Sequence, residues 1–293
     1  MTVKTIFSVG IIGCGWLGTA LAKVLQAQDV KVTATRSSAE NVAQLSDKGI
    51  NAVELMLPAE QSELNAHAIF NAQCIVIAIT PQFKKGREDY AEKVAALVKA
   101  AKANAQVEKV ILLSSTAVYN GLSGNVVESS ALDLTADKVS VLNQAEQAVL
   151  SFTDKGKKIG SVLRLSGLVG PNRHPGKFLL NGRMLKSPEA KVNLIHQDDA
   201  VGLIVALLNQ QANEQLPQQN AHNGSGIFNG ASDTHVSKKD YYQSAAEALG
   251  LAAPNFAYAE PEISPRIVCS DKAKRLLGYQ FIQADLLAWL AKS

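Results

Sequence analysis

Along the first 170 positions, short apolar runs of strand length alternate with segments whose apolar residues recur at helical spacing. Residues 5–12 form a β-branched run ending at a glycine, and Leu17, Leu21, Val24 and Leu25 then share one helix face. Residues 30–35 predict a second strand, Ser37 with Glu40 reads as a capping box opening the next helix, and 52–55 predict a short third strand. Residues 74–79 and 107–113 are continuously apolar, as strands covered on both faces must be. Tyr90, Val94, Leu97, Val98 and Ala101 mark a long helix between them. After a glycine-containing loop at 120–125, Val139, Leu142, Ala145 and Val149 mark another helix, followed by a sixth strand at 160–165. Such alternation requires right-handed crossovers and predicts an α/β fold with a doubly wound parallel sheet.

Beyond Gly170-Pro171 the regular alternation stops. Residues 172–182 are rich in Pro, Gly, Asn and Arg and read as a loop. A short strand is predicted at 192–195, and Asp198-Asp199 is expected to cap a helix reaching Leu208. Ser237 with Asp240 opens another helix as far as Leu249, and Asp271–Leu277 and 285–290 complete the set. The expected division is therefore residues 1–170 as the sheet domain. Residues 171–293 form mostly a smaller lobe covering substrate, interleaved with that sheet.

The turn after the first strand reads Gly13-Cys14-Gly15-Trp16-Leu17-Gly18, so G-x-G-x-x-G follows a strand and opens a helix. In that context the first glycine permits the tight turn, the second lets backbone approach a pyrophosphate, and the third allows close helix–sheet packing. The helix N-terminus adds unsatisfied N–H groups and about half a positive charge. The sheet is thus expected to be of Rossmann type and to bind a nicotinamide dinucleotide. At the end of the second strand an NAD site normally places an acid for the ribose hydroxyls. Here Thr35-Arg36-Ser37-Ser38 stands instead, and a guanidinium flanked by hydroxyls suits a 2′-phosphate. NADP(H) is expected ahead of NAD(H), with Arg36, Ser37 and Ser38 around the phosphate.

Composition narrows the class without changing it. Of 293 residues, 47% are apolar and 19% charged, and the net charge of +3 argues for neither a nucleic-acid nor a membrane surface. The basic clusters Lys84-Lys85-Arg87 and Lys155-Lys157-Lys158 read as solvated loop or helix-end residues. Three dispersed cysteines, Cys14, Cys74 and Cys269, show no metal-ligand spacing and point to free thiols in a reducing compartment. Cys14 is read as a small loop residue rather than a reactive thiol. No apolar run reaches the roughly 18 residues of a membrane span, and no secretory signal opens the chain. A cytoplasmic protein is expected, and the sequon Asn223-Gly224-Ser225 then carries no meaning.

Four further segments, in order, resemble the extended short-chain dehydrogenase/reductase superfamily in its NAD-dependent epimerase/dehydratase branch. They are Ser114-Ser115-Thr116-Ala117-Val118-Tyr119, the run from Leu163 through Gly170-Pro171, Asn193 through Ala200, and Arg266 through Ala273 with Leu276-Leu277-Gly278-Tyr279. The stretch from Arg164 to Lys177 and the G-x-G-x-x-G spacing are similar to atypical bacterial members of that branch. The resemblance implies that Ala78, Ile79, Thr80 and Ser114 also face the dinucleotide. It further implies that Ser115 hydrogen-bonds the reacting oxygen, that Thr116, Arg173 and His174 meet substrate, and that His196 orients a strand–helix junction.

The family's Tyr-x-x-x-Lys pair is missing. Positions i and i+4 share a helix face, so that lysine lowers the tyrosine pKa and touches the nicotinamide ribose. Anchored on Ala145-Glu146, the matching positions hold Lys138 and Leu142, and no tyrosine occurs between Asn120 and Asp240. Tyr119 and Lys138 are the substitutes offered for proton transfer, beside Ser115. Two functions follow. One is an NADP(H)-dependent, epimerase/dehydratase-like oxidoreductase acting on a small polar or nucleotide-linked carbonyl or hydroxyl compound. The other is a non-catalytic NADP(H)-binding sensor or regulator. The expected partner is a small-molecule substrate, with no nucleic acid, membrane or metal; a homodimer stays open.

Overall fold

The computed structural model describes residues 6–154, 158–179, 184–210, 226–257 and 265–293. Lys155, Lys157 and the sequon at Asn223 lie outside them. The elements run β1 (Ser8–Ile12), α1 (Trp16–Gln26), β2 (Lys31–Arg36), α2 (Ala39–Ser46), β3 (Ala52–Glu54), α3 (Gln61–Ala66), β4 (Cys74–Ile77), α4 (Tyr90–Ala103) and β5 (Lys109–Ser115). Then come β6 (Gly124–Val126), α5 (Asp137–Leu150), β7 (Ile159–Leu165), β8 (Gly167–Val169), β9 (Leu185–Lys186), β10 (Leu194–His196) and α6 (Gln197–Asn209). The chain closes with β11 (Ile227–Gly230), α7 (Lys238–Glu247), β12 (Phe256–Ala257), β13 (Arg266–Val268), α8 (Asp271–Leu277) and α9 (Leu286–Leu290).

Seven strands form one parallel sheet in the order β11-β7-β5-β4-β1-β2-β3, with the reversal of direction at β1 that a doubly wound fold requires. Alternate side chains of the central strands enter different cores. Ile75 and Ile77 of β4 and Val110 and Leu112 of β5 pack with Val94, Leu97, Val139 and Leu142 of α4 and α5. Cys74, Val76 and Ile111 enter the opposite layer, with Leu21 and Leu25 of α1 and Leu203, Ile204 and Leu207 of α6. Both faces are covered, which is why these strands read as unbroken apolar runs.

The seventh strand, β11, is absent from the pattern in the sequence. It is four residues long, Ile-Phe-Asn-Gly, with an asparagine inside. Together with α6 it shows that the second half of the chain contributes to the sheet layers, while α7, α9, β8 and β10 surround a small separate core of Val169, Val192, Tyr241, Ala245, Leu286 and Leu290. Two helix starts also differ from expectation. Ser38, not Ser37, caps α2 by accepting from Asn41 N–H. His196 caps α6 through Nδ1, which accepts from Asp198 N–H at 3.2 Å. Asp199 is buried instead and accepts from Tyr279 hydroxyl and the N–H groups of Ile282 and Gln283, tying the last loop to α6.

Candidate functional site

A crevice of about 720 Å³ opens along the carboxyl ends of the parallel strands, where a doubly wound sheet places its ligand. The glycine turn forms its floor. Gly13 adopts φ +85° and packs against Ala78 and Ile79, a conformation and a spacing that exclude a side chain. A Cβ on Gly15 would meet nothing closer than an Arg36 nitrogen at 3.8 Å, so its backbone stands open toward the crevice. A Cβ on Gly18 would stand 3.3 Å from Cys14 and from Ile11, which is the close helix–strand approach expected of the third glycine. The N-cap of α1 is Gly15, with no side-chain cap and no acid in the first turn. Ser38, His196, Ser237 and Asp285 cap α2, α6, α7 and α9, whereas α3, α4, α5 and α8 lack a side-chain cap as α1 does. The α1 terminus is thus left free to meet an anion.

Charge along the crevice is one-sided. Among the described residues, Arg36, Lys93 and Arg173 line it, and no carboxylate does. Arg36 donates to Cys14 carbonyl at 2.9 Å and to Asn41 Oδ1 at 3.1 Å, which holds the guanidinium beside the glycine turn. Lys93 is paired with Asp89 at 2.9 Å. Arg173 lies over the Trp16 ring, 5.3 Å from its centroid, and Trp16 Nε1 donates to Pro171 carbonyl at 3.0 Å. These contacts fasten the Gly170-Pro171 loop to the glycine turn.

Of the residues expected around the dinucleotide, Gly13, Gly15, Trp16, Leu17, Gly18, Arg36, Ser37, Ala78, Ile79, Thr80 and Ser114 line the crevice. Cys14 and Ser38 do not. The Cys14 side chain is buried toward Thr19, and burial pushes its thiol pKa up, which fits the inert reading of that thiol. Ser38 is taken up by the α2 cap, where it also accepts from Asn41 Nδ2 at 2.7 Å.

The expected catalytic and substrate residues divide more sharply. Ser115 and Arg173 line the crevice. Tyr119 does not reach it. Its ring is fully buried, its hydroxyl donates to Asn229 Oδ1 and accepts from Arg164 Nη1, both at 2.8 Å, and burial raises its pKa. Lys138 is exposed in the first turn of α5 and does not line the crevice, whereas Leu142, one turn on, does. Thr116 is buried in the turn that Ser115 caps. His174 is buried away from the crevice, between Gly176 N–H on Nδ1 and Ser293 Oγ on Nε2, against Trp289. A tyrosine at the strand exit and a histidine in the loop look available in sequence. In the structure, packing uses both.

What the sequence reading did not foresee is the cluster that holds Tyr119. Glu146, wholly buried, accepts from Ser114 Oγ at 2.6 Å and pairs with Arg164 at 2.6 Å. Arg164 also donates to Glu128 carbonyl. Asn229 continues the chain by donating to Cys269 carbonyl, and its N–H donates to Glu128 Oε1. The available signal was a pair of opposite charges, each inside an otherwise apolar element: Glu146 among Leu142, Ala145 and Val149, and Arg164 within 160–165. Buried charges of that kind require partners.

Residues 13–153 match the profile of an NAD(P)H-binding family. Protein YeeZ of Escherichia coli strain K12 is 30% identical over 284 residues, covering 95% of this chain and 97% of YeeZ. Among solved structures, a functionally unknown conserved protein from Silicibacter pomeroyi superimposes with a TM-score of 0.77 at 22% identity, covering 98% of this chain and 97% of that one. The dTDP-glucose 4,6-dehydratase DesIV of Streptomyces venezuelae, solved with NAD bound, gives 0.75 at 17% identity over 98% and 95%. No helix among the described residues is long and apolar enough to cross a membrane. With an uncapped glycine turn inside the segment that matches the NAD(P)H-binding profile and a relative matched along its whole length, the chain belongs to the same family as Escherichia coli protein YeeZ and carries an NAD(P)H-binding segment.

Proposed function

We propose that this chain is an NADP(H)-dependent, epimerase/dehydratase-like oxidoreductase acting on a small polar or nucleotide-linked carbonyl or hydroxyl compound. The observation that carries the reading is a crevice with an open glycine turn and, among the described residues, three cations and no carboxylate on its walls. In it, the first N–H groups of α1 hold the pyrophosphate, and Arg36 with Ser37 meets the 2′-phosphate. A carboxylate at the end of β2 would repel that phosphate, and none stands there. A nicotinamide held in the crevice would supply or accept a hydride. Ser115 accepts from Ala117 N–H at 3.1 Å, which leaves its own proton for a substrate oxygen. Arg173, exposed at the crevice mouth, suits an anionic group such as a substrate diphosphate. Residues 1–170 would then carry the cofactor half, and the lobe within 171–293 would cover the substrate.

One observation favours the second reading, a dinucleotide-binding sensor without chemistry: the crevice wall carries Leu142 where the pair's lysine would stand, and Lys138 faces solvent. Turnover separates the two. Purified protein with NADPH is offered a panel of aldehydes, ketones and nucleotide-linked keto sugars, and cofactor oxidation is followed optically. The enzyme reading expects turnover of at least one class, abolished by Ser115→Ala. Tight NADPH binding with no turnover on any of them supports the sensor.

A further inference from the structure

A dinucleotide whose pyrophosphate lies over α1 sends its two ribosides to opposite sides of β1. Arg36 marks one side. The other riboside therefore lies over the carboxyl ends of β4, β5 and β7, the side where the sheet reverses direction. The crevice wall there includes Tyr90, Ser114, Ser115, Leu142 and Ser166. Ser114 donates to Glu146, and Ser115 accepts from the Ala117 N–H and keeps its own proton for substrate. Two hydroxyls remain. Ser166 is 5% exposed, and its Oγ is buried with no hydrogen-bond partner among the described residues. Tyr90, the first residue of α4, is 2% exposed and lines the crevice, and its hydroxyl bonds no described residue. An unpartnered buried hydroxyl such as that of Ser166 is costly, and with the Tyr90 hydroxyl on the same crevice wall it points to a polar ligand. Burial and the Glu146 charge push the Tyr90 phenol well above its ordinary pKa, so it remains a donor at neutral pH.

We propose that Tyr90 and Ser166 hold the nicotinamide riboside, with Tyr90 reaching from α4 to make the ribose contact that Leu142 cannot make from α5. The inference rests on the cofactor reading above and deepens it by naming the residues that grip the reactive half.

The test is calorimetric titration of the full chain with NADPH and with 2′,5′-ADP, which keeps the phosphate-bearing adenosine and lacks the nicotinamide riboside. Wild type, Tyr90→Phe and Ser166→Ala are compared, with the melting temperature of each free protein recorded. Tyr90→Phe is expected to weaken NADPH about tenfold, leave 2′,5′-ADP unchanged, and melt no lower than wild type, because it removes only an unpartnered hydroxyl. Ser166→Ala is expected to weaken NADPH about threefold, again sparing 2′,5′-ADP. Unchanged NADPH affinity in both variants, or equal losses for both ligands, overturns the inference while the cofactor reading stands. A wild type that binds neither ligand overturns both.

Discussion

On the α1 side of the crevice the protein leaves its polar groups open, whereas on the α5 side it closes most of them on one another. The first side offers an uncapped helix terminus, a bare Gly15 backbone and an arginine tethered beside it. The second gathers Ser114, Glu146, Arg164, Tyr119 and Asn229 into a network with no charge left over. Both arrangements sit along the same ends of the sheet, yet one is built to meet a ligand and the other to fix the fold. A polar side chain near a cofactor crevice is therefore not by itself a catalytic group. What separates the two cases is whether its hydrogen-bonding capacity is already used.

The largest expected effect lies on the closed side. Glu146→Leu leaves Arg164 buried at 2% exposure with its main partner gone, and should cost about 3–5 kcal/mol in a denaturant titration. Adding Arg164→Met should recover much of that loss, because an apolar pair replaces a buried ionic one. A loss under 1 kcal/mol for the single variant would mean that the network does not hold the fold. On the open side, Arg36→Gln should weaken NADPH by about 10–100-fold, the worth of a charge-assisted hydrogen bond of roughly 1.5–3 kcal/mol, and leave NADH unchanged. Tyr119→Phe sharpens the contrast. It should cost about 1 kcal/mol of stability and nothing in NADPH affinity, since its hydroxyl serves Asn229 and Arg164 alone. Impaired cofactor binding there would move Tyr119 back into the site.

The smallest effect concerns the loop behind Arg173. His174 and His196 flank Trp289, and each accepts a backbone N–H on Nδ1, from Gly176 and Asp198 respectively. Burial pushes both rings below the ordinary value of 6.5, with Lys177 adding to this at His174 and Asp198 opposing it at His196. Above 6.5 the rings are neutral folded and unfolded, and they contribute no pH dependence. As pH falls below 6.5 the unfolded chain binds protons that the folded rings refuse, so stability declines. In a Trp16→Phe background, Trp289 fluorescence should report loosening of α9 between about pH 6.5 and 5.5 before global unfolding. A signal unchanged over that window would contradict the neutral-ring account.

Much of this was legible because the signals are local. The glycine turn, Arg36 at the end of β2 and the alternation of runs each depend on neighbours within a few residues, and each reappears in the structure. The α2 cap moved by one residue because Ser37 and Ser38 offer the same chemistry, and only the backbone decides between them. The β11 strand was missed because four residues with an asparagine carry too little periodicity, and what makes them a strand is pairing with β7 far upstream. Tyr119 and His174 failed as site residues for a related reason. One partner of each, Asn229 and Ser293, lies more than a hundred positions away. Tyr90 falls on the apolar face of a helix in the sequence pattern, and nothing local reveals that its hydroxyl faces a crevice.

The central claim is that the open side of the crevice takes a 2′-phosphorylated dinucleotide. Titration of the wild-type protein with NADPH and NADH, following quenching of Trp16 beside the turn, tests it most directly. The account predicts at least tenfold tighter binding of NADPH, about 1.4 kcal/mol, and loss of that margin in Arg36→Gln. Equal affinity for the two cofactors, or a preference for NADH, would contradict it.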